Sequence, residues 1–184
     1  MHALVSRLCV FCGSSPGLRP AYFESARTVG RLLAERGIGL VFGGGRVGLM
    51  GALADAALEA GGEAIGVIPR ILEVREVAHL GLTKLHVVET MHERKALMTE
   101  YADAFLALPG GYGTLDELFE AITWRQLGYH DKPSGLLDVE GYYEGLVAFL
   151  KRASGDEFVH DAERATLAVD TDPTRLIDAL LPRT

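Results

Sequence analysis

The amino-acid sequence predicts an α/β fold, with a doubly wound parallel sheet that carries helices on both faces. Short apolar runs alternate along the chain with segments of helical periodicity, an order that is typical of parallel sheets. The apolar runs are continuous, as expected for strands that are buried on both faces. With 184 residues, 48% of them hydrophobic, one domain spanning 1–184 is expected to bury an adequate core.

The first half of the chain is predicted to contain three strands and two helices. Apolar residues recur at helical spacing after Tyr22, and Gly37 ends this helix because glycine readily leaves the helical conformation. Pro69 ends the third strand, since proline cannot donate to a strand ladder. The predicted order is strand 4–11, helix 22–36, strand 38–42, helix 48–60 and strand 63–68.

The second half continues the alternation after a segment without clear periodicity. Residues 70–83 are therefore predicted to form a loop with at most a short turn. The predicted order is then strand 84–88, helix 90–101, strand 104–108, helix 114–127, strand 133–137, helix 142–153, strand 166–169 and helix 173–181.

Composition and charge exclude several classes of protein. The formal net charge is −7 and there is no run of lysine or arginine, so no nucleic-acid partner is expected. No apolar stretch reaches 18 residues and no signal peptide is recognisable, which predicts a cytoplasmic protein without a membrane partner. Cys9 and Cys12 lie on one predicted strand with their side chains on opposite faces, so they are expected to be buried, reduced thiols. The histidines show no metal-ligand spacing, and neither a metal nor another cofactor is expected.

Residues 104–127 contain the strongest functional signal. A short apolar run is followed by Pro109, by a glycine-rich turn from Gly110 to Gly113, and by a helical pattern from Thr114. The first backbone N–H groups of such a helix have no acceptor within the helix. Together with the helix dipole they form a site suited to a phosphate or carboxylate.

Glu117 has two interpretations from sequence alone. Thr114 and Glu117 fit a capping box, in which both side chains would bond to the backbone of the helix start. Alternatively, a phosphate lies on the glycine loop while Glu117 faces a part of the ligand that becomes positive. A sugar whose C1 bond is breaking fits that description.

A second glycine motif, Gly43-x-Gly45-x-x-Gly48, follows a predicted strand and precedes a helix. It resembles a dinucleotide-binding fingerprint, but the next strand ends in Pro69-Arg70 and lacks the acidic residue expected for NAD. The glycines serve either close helix packing or a second wall of a nucleotide pocket. Glycine loops follow residues 12, 42 and 108, and they are expected to meet in one crevice at the carboxyl ends of the strands.

Arg94 is predicted to lie in the first turns of a helix that begins with a capping box of Thr90 and Glu93. It shares a helical face with Met91 and Met98. An arginine on an apolar face needs a partner, because a buried unpaired charge is very costly. The partner is predicted to be Glu117 or an anion beside it; the alternative is a buried stem with the guanidinium in water.

Three segments together resemble the LOG (Lonely guy) family of cytokinin-activating phosphoribohydrolases, long mislabelled lysine decarboxylases. They are Gly43-Gly44-Gly45 to Met50-Gly51, Met91-His92-Glu93-Arg94-Lys95, and Pro109-Gly-Gly-Tyr-Gly-Thr-Leu-Asp-Glu117. The resemblance implies a Rossmann-like fold, a homodimer and no cofactor. It also implies hydrolysis of the N-glycosidic bond of AMP or N6-prenylated AMP, releasing the free base and ribose 5-phosphate.

The resemblance further implies particular site residues. The catalytic pair falls on Arg94 and Glu117, and Asp116 replaces a second glutamate that is common in the family. The implied substrate-binding set is Ser14, Gly44, Gly45, Glu76, Arg94, Lys95, Gly111, Tyr112, Gly113, Thr114, Leu115, Asp116, Glu117 and Thr123.

The implied chemistry agrees with the residues themselves. Cleavage of a ribosyl bond gives an oxocarbenium-like transition state, which a fixed carboxylate at Glu117 would stabilise. Arg94 would keep Glu117 ionised through its opposite charge. The alternative from another class is a non-catalytic nucleotide or molybdenum-cofactor carrier on the same fold, which would bind a phosphate without needing this pair.

Overall fold

A computed structural model describes residues 6–73 and 78–182 of the chain. Within these residues, seven strands form one sheet in which every pair of neighbours is parallel. The strands are β1 (Arg7–Phe11), β2 (Gly39–Phe42), β3 (Ala64–Pro69), β4 (Lys84–Val88), β5 (Ala104–Ala107), β6 (Ser134–Leu137) and β7 (Leu167–Asp170). Their order is β4-β3-β2-β1-β5-β6-β7. The winding therefore reverses between β1 and β5, as in a doubly wound sheet.

Helices cover both faces of this sheet, which confirms the predicted fold class. They are α1 (Pro20–Glu35), α2 (Gly48–Glu59), α3 (Arg70–Glu73), α4 (Met91–Tyr101), α5 (Tyr112–Gln126), α6 (Glu144–Gly155), α7 (Asp161–Arg164) and α8 (Pro173–Leu180). A 3-10 turn, Val139–Gly141, precedes α6. Among the described helices, none combines the length and the apolar character that a bilayer crossing demands.

The core is divided by the sheet into two clusters of buried residues. One cluster joins the sheet to α1, α2 and α8, and the other joins it to α4, α5 and Tyr143. Cys12 belongs to the first cluster and Cys9 to the second, so the two thiols lie on opposite faces as predicted. Both are buried and neither forms a disulfide with a described residue, and burial raises the pKa of the Cys9 thiol well above its usual value.

Local sequence signals account for several helix starts. Thr90 Oγ1 accepts a hydrogen bond from the Glu93 N–H at 3.1 Å, and the Glu93 carboxylate accepts one from the Glu89 N–H at 2.9 Å. The capping box predicted for α4 is thus confirmed, with the return bond shifted by one residue. In α8, Asp172 caps the helix and Pro173 occupies its first turn, where its missing N–H costs nothing.

Several helix ends differ from the prediction by about two residues: α1 begins at Pro20 and not at Tyr22, and α6 spans Glu144–Gly155 and not 142–153. Helix α5 begins at Tyr112, two residues before the predicted start, with Gly111 as its N-cap. Residues 70–83 were predicted as a loop with at most a short turn, and the described ones agree: they begin with the single helical turn α3, and Ala78 pairs with Gly45. The short helix α7 was not predicted, because four residues are too few to show helical periodicity.

Candidate active site

A pocket of about 230 Å³ opens at the carboxyl ends of β1, β2 and β5, where the winding of the sheet reverses. The three glycine loops after residues 12, 42 and 108 all contribute to this part of the molecule, as predicted. The pocket is lined by Val10, Phe11, Cys12, Gly13, Ser14, Gly43, Met50, Met91, Arg94, Gly111, Tyr112, Gly113, Thr114 and Glu117.

The start of α5 forms one wall of the pocket. The first intrahelical bond runs from the Leu115 N–H to the Gly111 carbonyl at 3.1 Å. The backbone N–H groups before Leu115 therefore precede the helical ladder and are available to an anion at the positive end of the helix dipole. A Cβ atom at Gly110 would collide with the buried hydroxyl of Thr114, so this close approach requires glycine.

The capping interpretation of Thr114 and Glu117 is wrong. Thr114 lies inside the first turn of α5, and the N-cap, Gly111, has no side chain to cap with. The glycines at 111 and 113 hid the true helix start, since they carry no apolar periodicity. With the helix beginning two residues earlier, Glu117 lies in the second turn and lines the pocket.

Arg94 is held in the floor of the pocket by two backbone carbonyls. Its Nε donates to Val67 O at 3.1 Å and its Nη2 donates to Gly43 O at 3.2 Å. A Cβ atom at residue 43 would collide with the guanidinium, which explains the glycine there. The guanidinium is buried, so the alternative in which it extends into water is wrong.

Arg94 and Glu117 form a buried ion pair. The Nε–Oε1 distance is 3.8 Å, longer than a hydrogen bond, and the two side chains are only 6% and 10% exposed. Because both charges have left water, each is compensated in part by the other, and the guanidinium is also compensated by the two carbonyl oxygens that accept its hydrogen bonds. A fixed carboxylate next to a fixed cation, beneath a loop of backbone N–H groups, is the central chemical feature of the pocket.

The other predicted site residues divide into two groups. Ser14, Gly111, Tyr112, Gly113 and Thr114 line the pocket together with Arg94 and Glu117. The side chain of Tyr112 stands at the pocket mouth and is 95% exposed.

The structure places the remaining predicted residues that it describes outside the pocket lining. Gly44 O accepts a bond from the His79 N–H at 2.9 Å, and Gly45 pairs with Ala78, so both glycines contact the 78–79 segment. Leu115 packs against the core, and the Thr123 hydroxyl donates to Phe119 O at 2.7 Å within α5. Glu76 lies outside the described residues.

Lys95 contacts α5 and does not line the pocket. Its ammonium group lies 3.3 Å from Asp116 Oδ2 and 3.0 Å from Glu120 Oε1. Burial opposes the charged form, but the hydrogen bonds to Glu120 and Asp116 outweigh it and raise the pKa of Lys95. Two adjacent basic residues of α4 thus pair with carboxylates of α5, and this fixes the two helices against each other.

Several lining residues were not predicted individually. Gly13 donates its N–H to Pro109 O at 3.0 Å, which joins the loops after β1 and β5. Met50 and Met91 supply apolar lining from α2 and α4. Their side chains carry no chemical signal in the sequence, and only the meeting of the loops brings them into the pocket. Within residues 6–73 and 78–182, no three His, Cys, Asp or Glu side chains come together to hold a metal ion.

Comparison with family models finds a match that covers most of the chain. A model described as "Possible lysine decarboxylase" matches residues 50–180, which include the Arg94 helix and the glycine loop before Glu117.

Relatives of known name match almost the whole chain. The cytokinin riboside 5′-monophosphate phosphoribohydrolase LOG7 of Arabidopsis thaliana is 48% identical over 174 residues, covering 95% of this chain and 80% of the relative. The rice protein of the same description, LOG of Oryza sativa subsp. japonica, is 49% identical over 166 residues, covering 90% and 69%.

Solved structures with the same fold include molybdenum-cofactor proteins. The molybdenum cofactor carrier protein of Chlamydomonas reinhardtii superposes with a TM-score of 0.74 at 21% identity, covering 97% of this chain and 99% of that one. The molybdenum cofactor binding protein of Rippkaea orientalis gives a TM-score of 0.71 at 21% identity, covering 96% of both chains. At this level of identity the likeness concerns the Rossmann-like fold alone.

Proposed function

The chain belongs to the family of the cytokinin riboside 5′-monophosphate phosphoribohydrolases, and on this premise we propose that it hydrolyses the N-glycosidic bond of AMP or N6-prenylated AMP. The products are the free base and ribose 5-phosphate. The observation that carries the proposal is the buried pair of Arg94 and Glu117 beneath the N-terminus of α5.

The glycine loop binds the 5′-phosphate in this proposal. Backbone N–H groups at the start of α5 donate to the phosphate oxygens, and the helix dipole adds to the attraction. Binding energy from this remote group holds the ribose where its C1 atom faces Glu117. The short rise along α5 from Gly111 to Glu117, about 9 Å for six residues, supports this placement.

Glu117 stabilises the positive charge that develops at C1 and the ring oxygen as the bond to the base breaks. The same carboxylate orients the attacking water and accepts its proton as the water oxygen bonds to C1, and a proton then passes to the departing nitrogen, so that the base leaves in its neutral form. Since the side chain is almost buried, its interaction with the developing charge is little weakened by solvent.

Arg94 keeps Glu117 charged and fixes its position. Two bonds to backbone carbonyls anchor the guanidinium, so it holds its place without relying on the substrate. A preorganised cation of this kind does not reorient during the reaction, which is the condition for effective electrostatic catalysis.

Ser14 and Tyr112 contact the bound nucleotide at the mouth of the pocket in this proposal. The ion pairs of Lys95 with Asp116 and Glu120 act indirectly, by fixing the spacing of α4 and α5 that brings Arg94 to Glu117.

Incubation with AMP and with N6-isopentenyl-AMP, followed by chromatography for free base and ribose 5-phosphate, tests the proposal. Release of base by the wild-type protein, and its loss in the Glu117→Gln variant, is the expected result. A protein that binds the nucleotides but releases no base would support the carrier alternative. The likeness to the molybdenum-cofactor proteins concerns only the fold and does not itself favour that alternative.

The description of the matching family model as a possible lysine decarboxylase calls for a separate test. Such an enzyme needs a lysine that binds pyridoxal phosphate, and the chain contains four lysines. Of the described residues that line the pocket, none is a lysine. Mixing the protein with pyridoxal phosphate should give no stoichiometric Schiff-base absorbance; a stoichiometric band would reopen the decarboxylase assignment.

We also propose that the protein is a cytoplasmic homodimer, as the family resemblance implies. Sedimentation equilibrium should give twice the chain mass of 19.8 kDa. A monomer at micromolar concentration would contradict this part of the proposal without affecting the chemistry.

A further inference from the structure

Two consecutive tyrosines contact the backbone of the glycine loop from outside the pocket. Tyr142 donates its hydroxyl to Gly110 O at 2.5 Å, and Tyr143 donates its hydroxyl to Leu108 O at 2.6 Å. Neither tyrosine lines the pocket that contains Glu117. Both therefore act on the loop and not on a ligand in that pocket.

The carbonyl groups of Pro109 and Gly111, in the same loop, also accept hydrogen bonds. Gly13 donates its N–H to Pro109 O at 3.0 Å, and the Leu115 N–H donates to Gly111 O at 3.1 Å. Four successive carbonyl groups, from residue 108 to residue 111, thus each accept a hydrogen bond. A carbonyl oxygen committed to such a donor does not face an anion in the pocket.

The orientation of each carbonyl also fixes the N–H group of the next residue. In a trans peptide the C=O and the following N–H point in opposite directions. By holding Gly110 O on the outer side of the loop, Tyr142 directs the Gly111 N–H to the other side. Glycine needs such an external constraint, because its backbone has no preferred orientation of its own.

The hydroxyl of Tyr142 is itself held in place. Its ring packs edge-on against Tyr22, with centroids 5.4 Å apart, and against Tyr143, with centroids 4.9 Å apart. The Tyr143 N–H donates to Asp138 Oδ1 at 2.7 Å, which anchors the tyrosine pair to the end of β6. The loop after β5 is therefore braced by the segment that follows its neighbouring strand.

We propose that Tyr142 is a positioning residue that orients the Gly111 N–H toward the 5′-phosphate, with Tyr143 anchoring the start of the same loop. This inference rests on the proposed function, since it assumes that the glycine loop binds the phosphate of the substrate. It assigns the tyrosine pair an effect on phosphate binding and not on bond cleavage at C1.

The test compares Tyr142→Phe with a matched control, Tyr101→Phe. The Tyr101 hydroxyl contacts His86 at 3.1 Å and Lys84 at 3.4 Å, and Tyr101 does not line the pocket. Calorimetry with ribose 5-phosphate and with adenosine, together with kcat and KM for AMP, separates phosphate binding from the other steps. Tyr142→Phe should weaken ribose 5-phosphate binding and raise the KM for AMP, each by about fivefold, as expected for one lost hydrogen bond.

A positioning role further requires that kcat and adenosine binding stay within about twofold of the wild type, because the lost hydrogen bond would serve only the phosphate. Tyr101→Phe should leave all four quantities unchanged. If Tyr142→Phe binds ribose 5-phosphate as tightly as the wild type, or loses adenosine binding to the same extent, the inference is overturned while the proposed function stands. A wild-type protein that neither binds ribose 5-phosphate nor hydrolyses AMP would overturn both.

Discussion

Replacing Glu117 by glutamine separates the catalytic interpretation of this carboxylate from a structural one. Glutamine has nearly the same shape and removes only the negative charge, so the pocket keeps its form. Arg94 retains its two carbonyl partners, Val67 O and Gly43 O, after the substitution. The variant is therefore expected to fold, with a loss of stability of about 3–5 kcal/mol because the guanidinium loses its buried counter-charge.

The size of the kinetic effect follows from the burial of the carboxylate. Two unit charges 4 Å apart interact by about 4 kcal/mol at an effective dielectric constant of about 20. The charge at C1 in the transition state is partial, so about 3 kcal/mol of this stabilisation is at stake, or about 100-fold in rate. The phosphate-binding loop is unchanged in the variant, so KM should stay within about threefold of the wild type.

Steady-state hydrolysis of AMP, with free adenine quantified by chromatography, measures both parameters. Glu120→Gln is the matched control, because Glu120 also lies on α5 and also pairs with a basic residue of α4, at 3.0 Å from Lys95. It does not line the pocket. The control should keep kcat within about twofold of the wild type, because Lys95 retains its second ion pair, with Asp116 at 3.3 Å, which still holds α4 against α5.

A Glu117→Gln variant that is folded by circular dichroism and keeps kcat within about threefold would refute the electrostatic role assigned to this residue. An equal fall in kcat for both variants would also refute it. In that case the ion pairs between α4 and α5 would matter through structure alone.

Three further substitutions test the glycine loop, the position of the guanidinium and the loss of stability at acid pH. Gly110→Ala places a methyl group against the buried threonine hydroxyl of α5. The affinity for ribose 5-phosphate, measured by calorimetry, should therefore fall by about tenfold or more. Gly145→Ala is the control, because its methyl group meets open space, and it should leave this affinity unchanged. Gly43→Ala forces the buried guanidinium of α4 from its place, and kcat for AMP should fall by about tenfold or more in a folded protein. Asp170→Asn tests a carboxyl whose pKa is lowered to about 2 by hydrogen bonds from Arg175. Because this pKa lies below its value of about 4 in the unfolded chain, the carboxylate stabilises the fold above about pH 4 and loses that effect toward pH 2. The Tm of the variant should therefore fall less steeply than that of the wild type between about pH 4 and pH 2.

The parts of the site that follow general rules of parallel sheets were predictable from sequence. The apolar runs and their glycine loops placed the crevice correctly, because the carboxyl ends of parallel strands share one edge of the sheet. The need of a buried arginine for a partner predicted that Arg94 pairs with Glu117 or with an anion beside it. The Rossmann-like topology followed from the same alternation of strands and helices.

The remaining parts depend on side-chain directions that periodicity does not determine. Lys95 follows Arg94 directly in the sequence, yet successive helical residues point about 100° apart, so Lys95 turns away from the pocket toward Glu120. Gly43 lines the pocket, whereas Gly44 and Gly45 of the same motif contact the 78–79 segment. The backbone leaves the extended conformation at Gly44, where φ is 80°, and hydrophobic periodicity does not report such a turn. Whether the residues outside the lining contact the substrate stays a prediction.

The strands that carry the three glycine loops are adjacent and lie at the centre of the sheet, in the order β2-β1-β5. Each is bonded on both sides, and their residues are among the most deeply buried of the described chain. The catalytic framework therefore belongs to the last part of the molecule to open in native-state hydrogen exchange. In increasing urea, enzymatic activity should persist until the cooperative transition itself, with no earlier inactivation from local fraying. In such a protein the active site is rigid, and it is as stable as the fold as a whole.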